Sequence, residues 1–471
     1  MRTKSLLTAV CIFCSTYSFA EELFDVVVVG GGAAGLAAAV SAAENGSKVI
    51  LLEKGLRVGG NAYFSGGYYN AVDPELQKKA GIQDSEELFV KQMLESGAGK
   101  NDPEIVKTMV KEALPTLKWL KSKGLKFQEG ITESFGGEWR RSFKPISPDG
   151  QGYIQVLLND ALKRNVEIRT SAAVQEITRD NKGKVRQVRY LDKKKERQTV
   201  EARKGIILAA GGFGANLELV GKISPDLGTL GTDNFVKNTG EVMLSAQKIG
   251  AKLVNLEEIE CLPGAREEGT TRSRLHGDTS RFILINAKGK RFIREDASRS
   301  QIRDAVLRLP KKMAFILVDS EGLRSYSKLV QRDTIRSIEA GDVIMGDTLD
   351  EIAEKMNIPA ESLKRTVTAY NESVVNQIDP LGKDPKKLIH SLKAPPFYIG
   401  FAPMAIHNTL GGLAIDTRAR VLDEKGSPIP GLYAAGEITG LTHGANRLGG
   451  NGLTEALTFG RLAGRNCSQN D

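Results

Sequence analysis

The stretch "FDVVVVGGGAAGLAAAVSAAENGSKVILLEK", residues 24 to 54, constrains this chain more than any other. Val26 to Val29 read as a buried strand, Gly30, Gly32 and Gly35 follow as G-x-G-x-x-G, and an alanine-rich helix opens from them. A second strand, Lys48 to Leu52, then stops at Glu53. Each part has a physical task. The glycines allow a tight turn and the close approach of a pyrophosphate, the helix N-terminus faces that anion, and Glu53 accepts from a ribose hydroxyl. A glycine triplet alone is a weak signal, but with strand, helix, second strand and terminal acid at the proper offset it specifies dinucleotide binding.

Two later stretches narrow the choice of dinucleotide. "GIILAAGGFGAN" (205 to 216) is a buried strand running into glycines, and "IPGLYAAGEITG" (429 to 440) is another that ends at Glu437. Strands ending in such turns resemble those of FAD proteins, where the second contacts the ribityl chain and the flavin. One nucleotide-binding domain is therefore expected from both ends of the chain, with the middle inserted. The length of 471 residues, long for one core, also predicts two domains.

The opening "MRTKSLLTAVCIFCSTYSFA" has a basic start at Arg2 and Lys4, an apolar stretch, and small residues at Ser18 and Ala20, which suits export with cleavage after Ala20. Its apolar run is shorter than the ~20 residues of a spanning helix, which weighs against a membrane anchor. The expectation is a soluble periplasmic protein with no membrane insertion after cleavage. Cys11 and Cys14 leave with this segment, and Cys261 and Cys467 are not expected to pair. No C-x-x-C-H occurs, so the chain is expected to carry no c-type haem of its own, and no metal site is read from it. The net charge is +9, but the lysines are scattered, and "DKKKER" (192 to 197) reads as a solvated hairpin end, so nucleic acid is not an expected partner. The surplus suits an acidic protein partner or anionic substrates.

Further segments carry a resemblance to a known family: "RVGGNAYFSGGYYNA" (57 to 71), "GKRFIREDASRSQIRDA" (289 to 305), "ESLKRTVTAYNESV" (361 to 374), "HNTLGGLAID" (407 to 416) and "GLYAAGEITGLTHGANRLGGNGLTEALTFGRLAG" (431 to 464). From Phe24 to its C-terminus the chain resembles the flavoprotein of the fumarate reductase and succinate dehydrogenase superfamily. It is most similar to the soluble flavocytochrome c fumarate reductases and the related urocanate and methacrylate reductases. The resemblance implies an α/β fold, a Rossmann-like FAD-binding domain with an inserted α+β capping domain. The expected limits are a signal peptide at 1–20, the FAD-binding domain at 21–245 and 395–471, and the cap at 246–394. It implies FAD held noncovalently, because the segment that bears a histidine in the covalently flavinylated branch is here Asn61, Ala62, Tyr63. The implied FAD contacts begin with Gly30, Gly32, Ala33, Ala34, Gly35, Glu53 and Lys54. They continue through Gly60, Asn61, Ser65, Gly66 and Gly67, then Ala173, Val174, Ala210 and Gly211. They close with Gly436, Glu437, Arg447, Gly450, Gly452 and Leu453.

The family's reaction reduces a carbon–carbon double bond conjugated to a carboxylate, which needs positive charge at the carboxylate and a proton donor across the substrate from the flavin. By resemblance Arg447, within "HGANRLGGNG" (443 to 452), grips the carboxylate, and Arg299 in "RFIREDASRS" donates the proton. Two positions depart from the fumarate reductase pattern. Leu262 stands where a carboxylate-binding histidine precedes the proline, and Asn408 follows His407 where a second histidine is usual, so the substrate pocket is expected to involve His407, Asn408 and Leu262. Leucine cannot hold a second carboxylate, which makes fumarate doubtful and favours a monocarboxylic 2-enoate. In the altered segment "REEGTTRSRLHGDTS" (266 to 280), Asp278 and His276 are candidates for the proton relay, and Arg272 and Arg274 for additional anion ligands. Electrons are expected from a separate periplasmic cytochrome c or a similar carrier. The competing readings are a fumarate reductase, an FAD-dependent dehydrogenase working in the oxidative direction, and a non-catalytic exported flavoprotein that carries electrons.

Overall fold

The computed structural model describes residues 22–134, 136–147, 149–265, 273–326 and 328–469. The expected signal segment and Arg272 lie outside the described residues. Within them no helix is long and apolar enough to cross a membrane.

Glu22–Val29 is the strand expected from the valine run, and it pairs in parallel with Val49–Leu52 on one side and with Arg197–Leu208 on the other. Val26 to Val29 are all buried, which is why the run shows no alternation: both faces of this parallel sheet are covered. The eight-stranded sheet continues outward through Glu167–Arg169 at one edge. At the other, Pro428–Ala434 adds in parallel to Arg197–Leu208, so strands from both ends of the chain share one sheet. The basic segment 192 to 197 lies at the turn between the antiparallel strands Val185–Leu191 and Arg197–Leu208. Helix Ala33–Glu44 packs under the first strand. At Gly35 any added Cβ would lie 1.8 Å from the Gly30 carbonyl oxygen, so this glycine exists for helix-to-strand contact.

A second, six-stranded sheet is mostly antiparallel: Ile259–Pro263, Phe397–Thr409, Met313–Asp319 and Phe282–Ile285 in that order, with Val343–Gly346 and Gly231–Thr232 also paired to the long strand. Its two faces follow the strand period of two. Ile283 and Ile285 pack with Leu363, Val367 and Tyr370 of helix Ala360–Asn376 in a core of their own, while Phe282 and Leu284 belong to the main core. This sheet reaches past the expected cap limits, because Gly231–Thr232 and Phe397–Thr409 fall outside 246–394. The physical reason is that the 13-residue strand is long enough to run through the cap and end in the nucleotide lobe, where the Thr409 backbone N–H donates to Glu437 at 3.1 Å.

Candidate active site

A cavity of about 580 Å³ lies at the carboxyl ends of the parallel strands and is closed by residues of the second sheet and its connections. At its nucleotide end Gly30, Gly32, Ala33 and Ala34 form the wall. Helix Ala33–Glu44 starts here with Gly32 at its N-cap and no side chain capping it, so its first N–H groups are available to an anion. A Cβ added to Gly32 would meet only the Gly59 carbonyl, at 4.0 Å, which leaves the approach open. Glu53 is buried on this wall, its Oε2 accepting from the Gly31 N–H at 2.7 Å. Lys54 lines the wall too, donating to Thr239 Oγ1 at 2.7 Å and pairing with Glu241.

Gly60, Asn61, Ser65, Gly66, Gly67, Val174, Ala210 and Gly211 continue the lining, and Gly436, Glu437, Gly450, Gly452 and Leu453 complete it. Two residues expected here do not reach the cavity. Gly35 faces the strand, as its crowding against Gly30 requires, and Ala173 is bypassed between Ala172 and Val174, which do line the wall. Glu437 sits in a polar cluster missed by the sequence reading. It accepts from Asn61 Nδ2 at 3.3 Å, from Asn238 Nδ2 at 3.4 Å and from Thr409, and burial pushes its carboxyl up from the ordinary range.

The opposite end is defined by two arginines. Arg299 is the first residue of helix Arg299–Leu307, which Ser298 and Gln301 close with a capping box, and it is 7% exposed. Arg447 comes from the loop before helix Asn451–Ser468 and is 8% exposed. Both line the cavity, and one carboxylate joins them: Glu260 accepts from Arg299 Nη1 at Oε1 and from Arg447 Nη2 at Oε2, each at 2.5 Å. Burial works to raise the Glu260 carboxyl, but the charges of Arg299 and Arg447 outweigh it and hold it down at about 2. Burial also lowers Arg299 from the ordinary arginine value, and the nearby Arg447 charge pulls it the same way. Arg447 Nε is buried with no hydrogen-bond partner among the described residues.

Register brings the remaining residues together. Ile259–Pro263 pairs antiparallel with Phe397–Thr409, Glu260 opposite Asn408 and Cys261 opposite Ile406, so His407 is the extra residue of a bulge. A regular strand would send His407 and Asn408 to opposite faces, whereas here both line the cavity. His407 Nδ1 lies 2.9 Å from Asp233 Oδ2, and Leu262 supplies an apolar wall. His276, 8% exposed, lines the cavity as expected. Asp278 does not. Its Oδ1 folds back to accept from the Ser280 backbone at 2.9 Å and hydroxyl at 2.6 Å, and its side chain is 45% exposed. Arg274 lines the wall and lies 3.5 Å from Asp333. Glu260 was the important omission. Alternation along Ile259–Pro263 places it on the same face as Leu262, the one signal that could have found it.

The model of the FAD binding domain family matches residues 25–453. The chain is 34% identical to the fumarate reductase (cytochrome) of Shewanella frigidimarina over 96% of this chain and 78% of that protein. The chain belongs to this flavoprotein family. The acrylate reductase flavoprotein subunit of Shewanella woodyi is 30% identical, with 94% of this chain and 90% of the subunit covered. Among solved structures, the open conformation of a flavocytochrome c3 fumarate reductase has a TM-score of 0.79 at 30% identity, covering 95% of this chain and 78% of that one. The flavoprotein therefore uses FAD and is an oxidoreductase of the type that acts on carbon–carbon bonds. The uncapped helix start and the glycine-lined wall, ending at buried arginines, fit that cofactor.

Proposed function

We propose that this flavoprotein reduces the double bond of a 2-enoate that carries a single carboxylate and an apolar or aromatic remainder. The observation that carries this reading is the buried arginine pair, Arg299 and Arg447, held on one carboxylate at the end of the FAD cavity beside apolar Leu262 and neutral Asn408. Reduced FAD, noncovalently bound, supplies the hydride for the carbon beta to the carboxylate.

The chain's own residues do the rest. Arg447 binds the substrate carboxylate, and its unpartnered Nε is the group that needs an acceptor there. Arg299 delivers a proton to the alpha carbon. Guanidinium is a very weak acid in water, but burial and the Arg447 charge move Arg299 in the direction the task requires. His276 and Arg299 share the wall of a small recess behind the cavity, which supports a role for His276 in returning the proton. Leu262 and Asn408 offer no second cation for a dicarboxylate. Closure of the second sheet over the cavity excludes water from the reduced cofactor.

We place this activity in the periplasm, on the strength of the N-terminal segment, with electrons from a separate cytochrome c or similar carrier. The non-catalytic reading gains weight only if Arg299 and Arg447 lie far apart or away from the flavin, whereas both contact Glu260 and line the cavity that fits FAD. The test is oxidation of reduced methyl viologen by the FAD-loaded protein against fumarate, crotonate, methacrylate, cinnamate and urocanate. Turnover of monocarboxylic enoates with poor use of fumarate is expected. Fumarate as best substrate overturns the carboxylate site, and no turnover with FAD bound overturns the reductase reading.

A further inference from the structure

We infer that Glu455 sets the reduction potential of bound FAD: its carboxylate, placed in the wall of the cofactor cavity, weakens the binding of the reduced form relative to the oxidised one. Glu455 takes no step in the proposed enoate reduction, and its effect holds for FAD in this cavity whichever acid is reduced.

Glu455 is 2% exposed and lines the cavity from helix Asn451–Ser468. That helix starts at Gly450 with no side chain capping it, so its free N–H groups and the positive end of its dipole favour negative charge in the cavity. Glu455 follows the cavity-lining Gly452 by three residues, about 4.5 Å further along the axis, and opposes that field with a full charge.

Its contacts keep it ionised. Oε1 accepts from the Thr439 and Thr442 hydroxyls, each at 2.9 Å, and Oε2 lies 3.1 Å from His443 Nε2. Burial works to raise the carboxyl, but the contact with His443 and the two hydroxyls outweighs it. His443 Nδ1 is buried with no hydrogen-bond partner among the described residues. That suits a neutral imidazole donating from Nε2, because a proton on Nδ1 would be an unsatisfied buried donor. Neutral donors therefore hold the carboxylate charge without cancelling it. Tying the loop of Thr439, Thr442 and His443 to the helix needs an acceptor there, which a glutamine also supplies, but no charge.

Two-electron reduction adds negative charge to FAD unless each electron is matched by a proton, and negative charge added near a buried carboxylate costs free energy. Glu53, Asp149, Asp233, Glu241 and Glu437 also line the cavity. Glu241 pairs with Lys54, Asp233 contacts His407, and burial pushes Asp149 and Glu437 up. A variant changed at Glu455 alone keeps all of these, so the comparison needs no balance of charge over the site.

The experiment is Glu455→Gln in the FAD-loaded protein, with the flavin midpoint potential read by spectroelectrochemical titration at neutral pH and the Kd of oxidised FAD by fluorescence. The substitution is expected to shift the ratio of affinities at least tenfold toward reduced FAD, a rise of about 30 mV for the two-electron couple. An unchanged or lower potential overturns the inference, including the case in which both forms simply bind more weakly, which is the result of a structural role alone. His443→Gln leaves the carboxylate in place with another neutral donor, so its potential is expected to equal that of the wild type. A fall would show that the imidazole carried a cancelling charge, and overturns the inference. If Glu455→Gln retains no FAD, this second variant decides: a wild-type potential upholds the uncancelled charge, and a fall refutes it.

Discussion

Arg447 presents two kinds of edge: Nη2 donates to Glu260 at 2.5 Å, while Nε is buried without a hydrogen-bond partner. A lysine at this position would keep the charge but lose the fork, so Arg447→Lys should raise KM for crotonate roughly tenfold or more in steady-state kinetics, the loss expected of a bidentate contact. Glu260 makes a second prediction. Its folded value of about 2 lies below the ordinary glutamate value of about 4.3, so its contribution to stability is complete above that ordinary value and is lost as pH falls toward 2. Urea unfolding of Glu260→Gln should therefore show lower stability than wild type at neutral pH and a weaker fall across that acid window. Arg299, Arg447, Leu262 and Asn408 were singled out in the sequence through the resemblance, because the family's motifs match this chain position by position. Glu260 was not, because nothing in "IECLPGA" reveals that two distant arginines converge on it. Asp278 was misplaced for the opposite reason: it lies in a segment without periodicity, where its side chain satisfies the Ser280 backbone.

Helix starts carry the site at the level of elements. Ser298 accepts from the Gln301 N–H and Gln301 reaches back to the Ser298 N–H, which fixes the turn that points Arg299 inward. Ser298→Ala should cost about 1 kcal/mol of stability. It should also lower kcat while flavin content stays constant, as measured by urea unfolding and turnover of the same preparation. At the other end of the cavity, Gly32→Asp would give helix Ala33–Glu44 a good N-cap while placing a negative charge where the pyrophosphate belongs. FAD affinity should collapse in a fluorescence titration without loss of thermal stability in the apoprotein. The strand, glycine turn and helix of residues 24 to 54 were legible because their periodicity is local. The bulge at His407 was not, since it is defined only by pairing with Ile259–Pro263.

At the scale of the whole molecule, the two ends of the chain build one sheet, and the cavity lies between it and a second sheet that the 13-residue strand Phe397–Thr409 ties to it. The two-ended nucleotide lobe was legible because both glycine-ended strands carry their own signal. The limits of the cap were not, because a strand crossing between lobes shows no break in its apolar pattern. A ligand gripped by both ends of the chain stabilises the whole fold, so FAD at 100 times its Kd should add about 2.7 kcal/mol, seen as a higher Tm than that of the apoprotein. Enoate reduction by the arginine pair at the FAD cavity is open to a single-turnover measurement, the reoxidation of photoreduced enzyme by crotonate. Wild-type flavin should reoxidise rapidly, and Arg299→Ala, with flavin content unchanged, should do so about a thousandfold more slowly, within the range attributed to a general acid. Equal rates in the two proteins would rule out Arg299 as the proton donor.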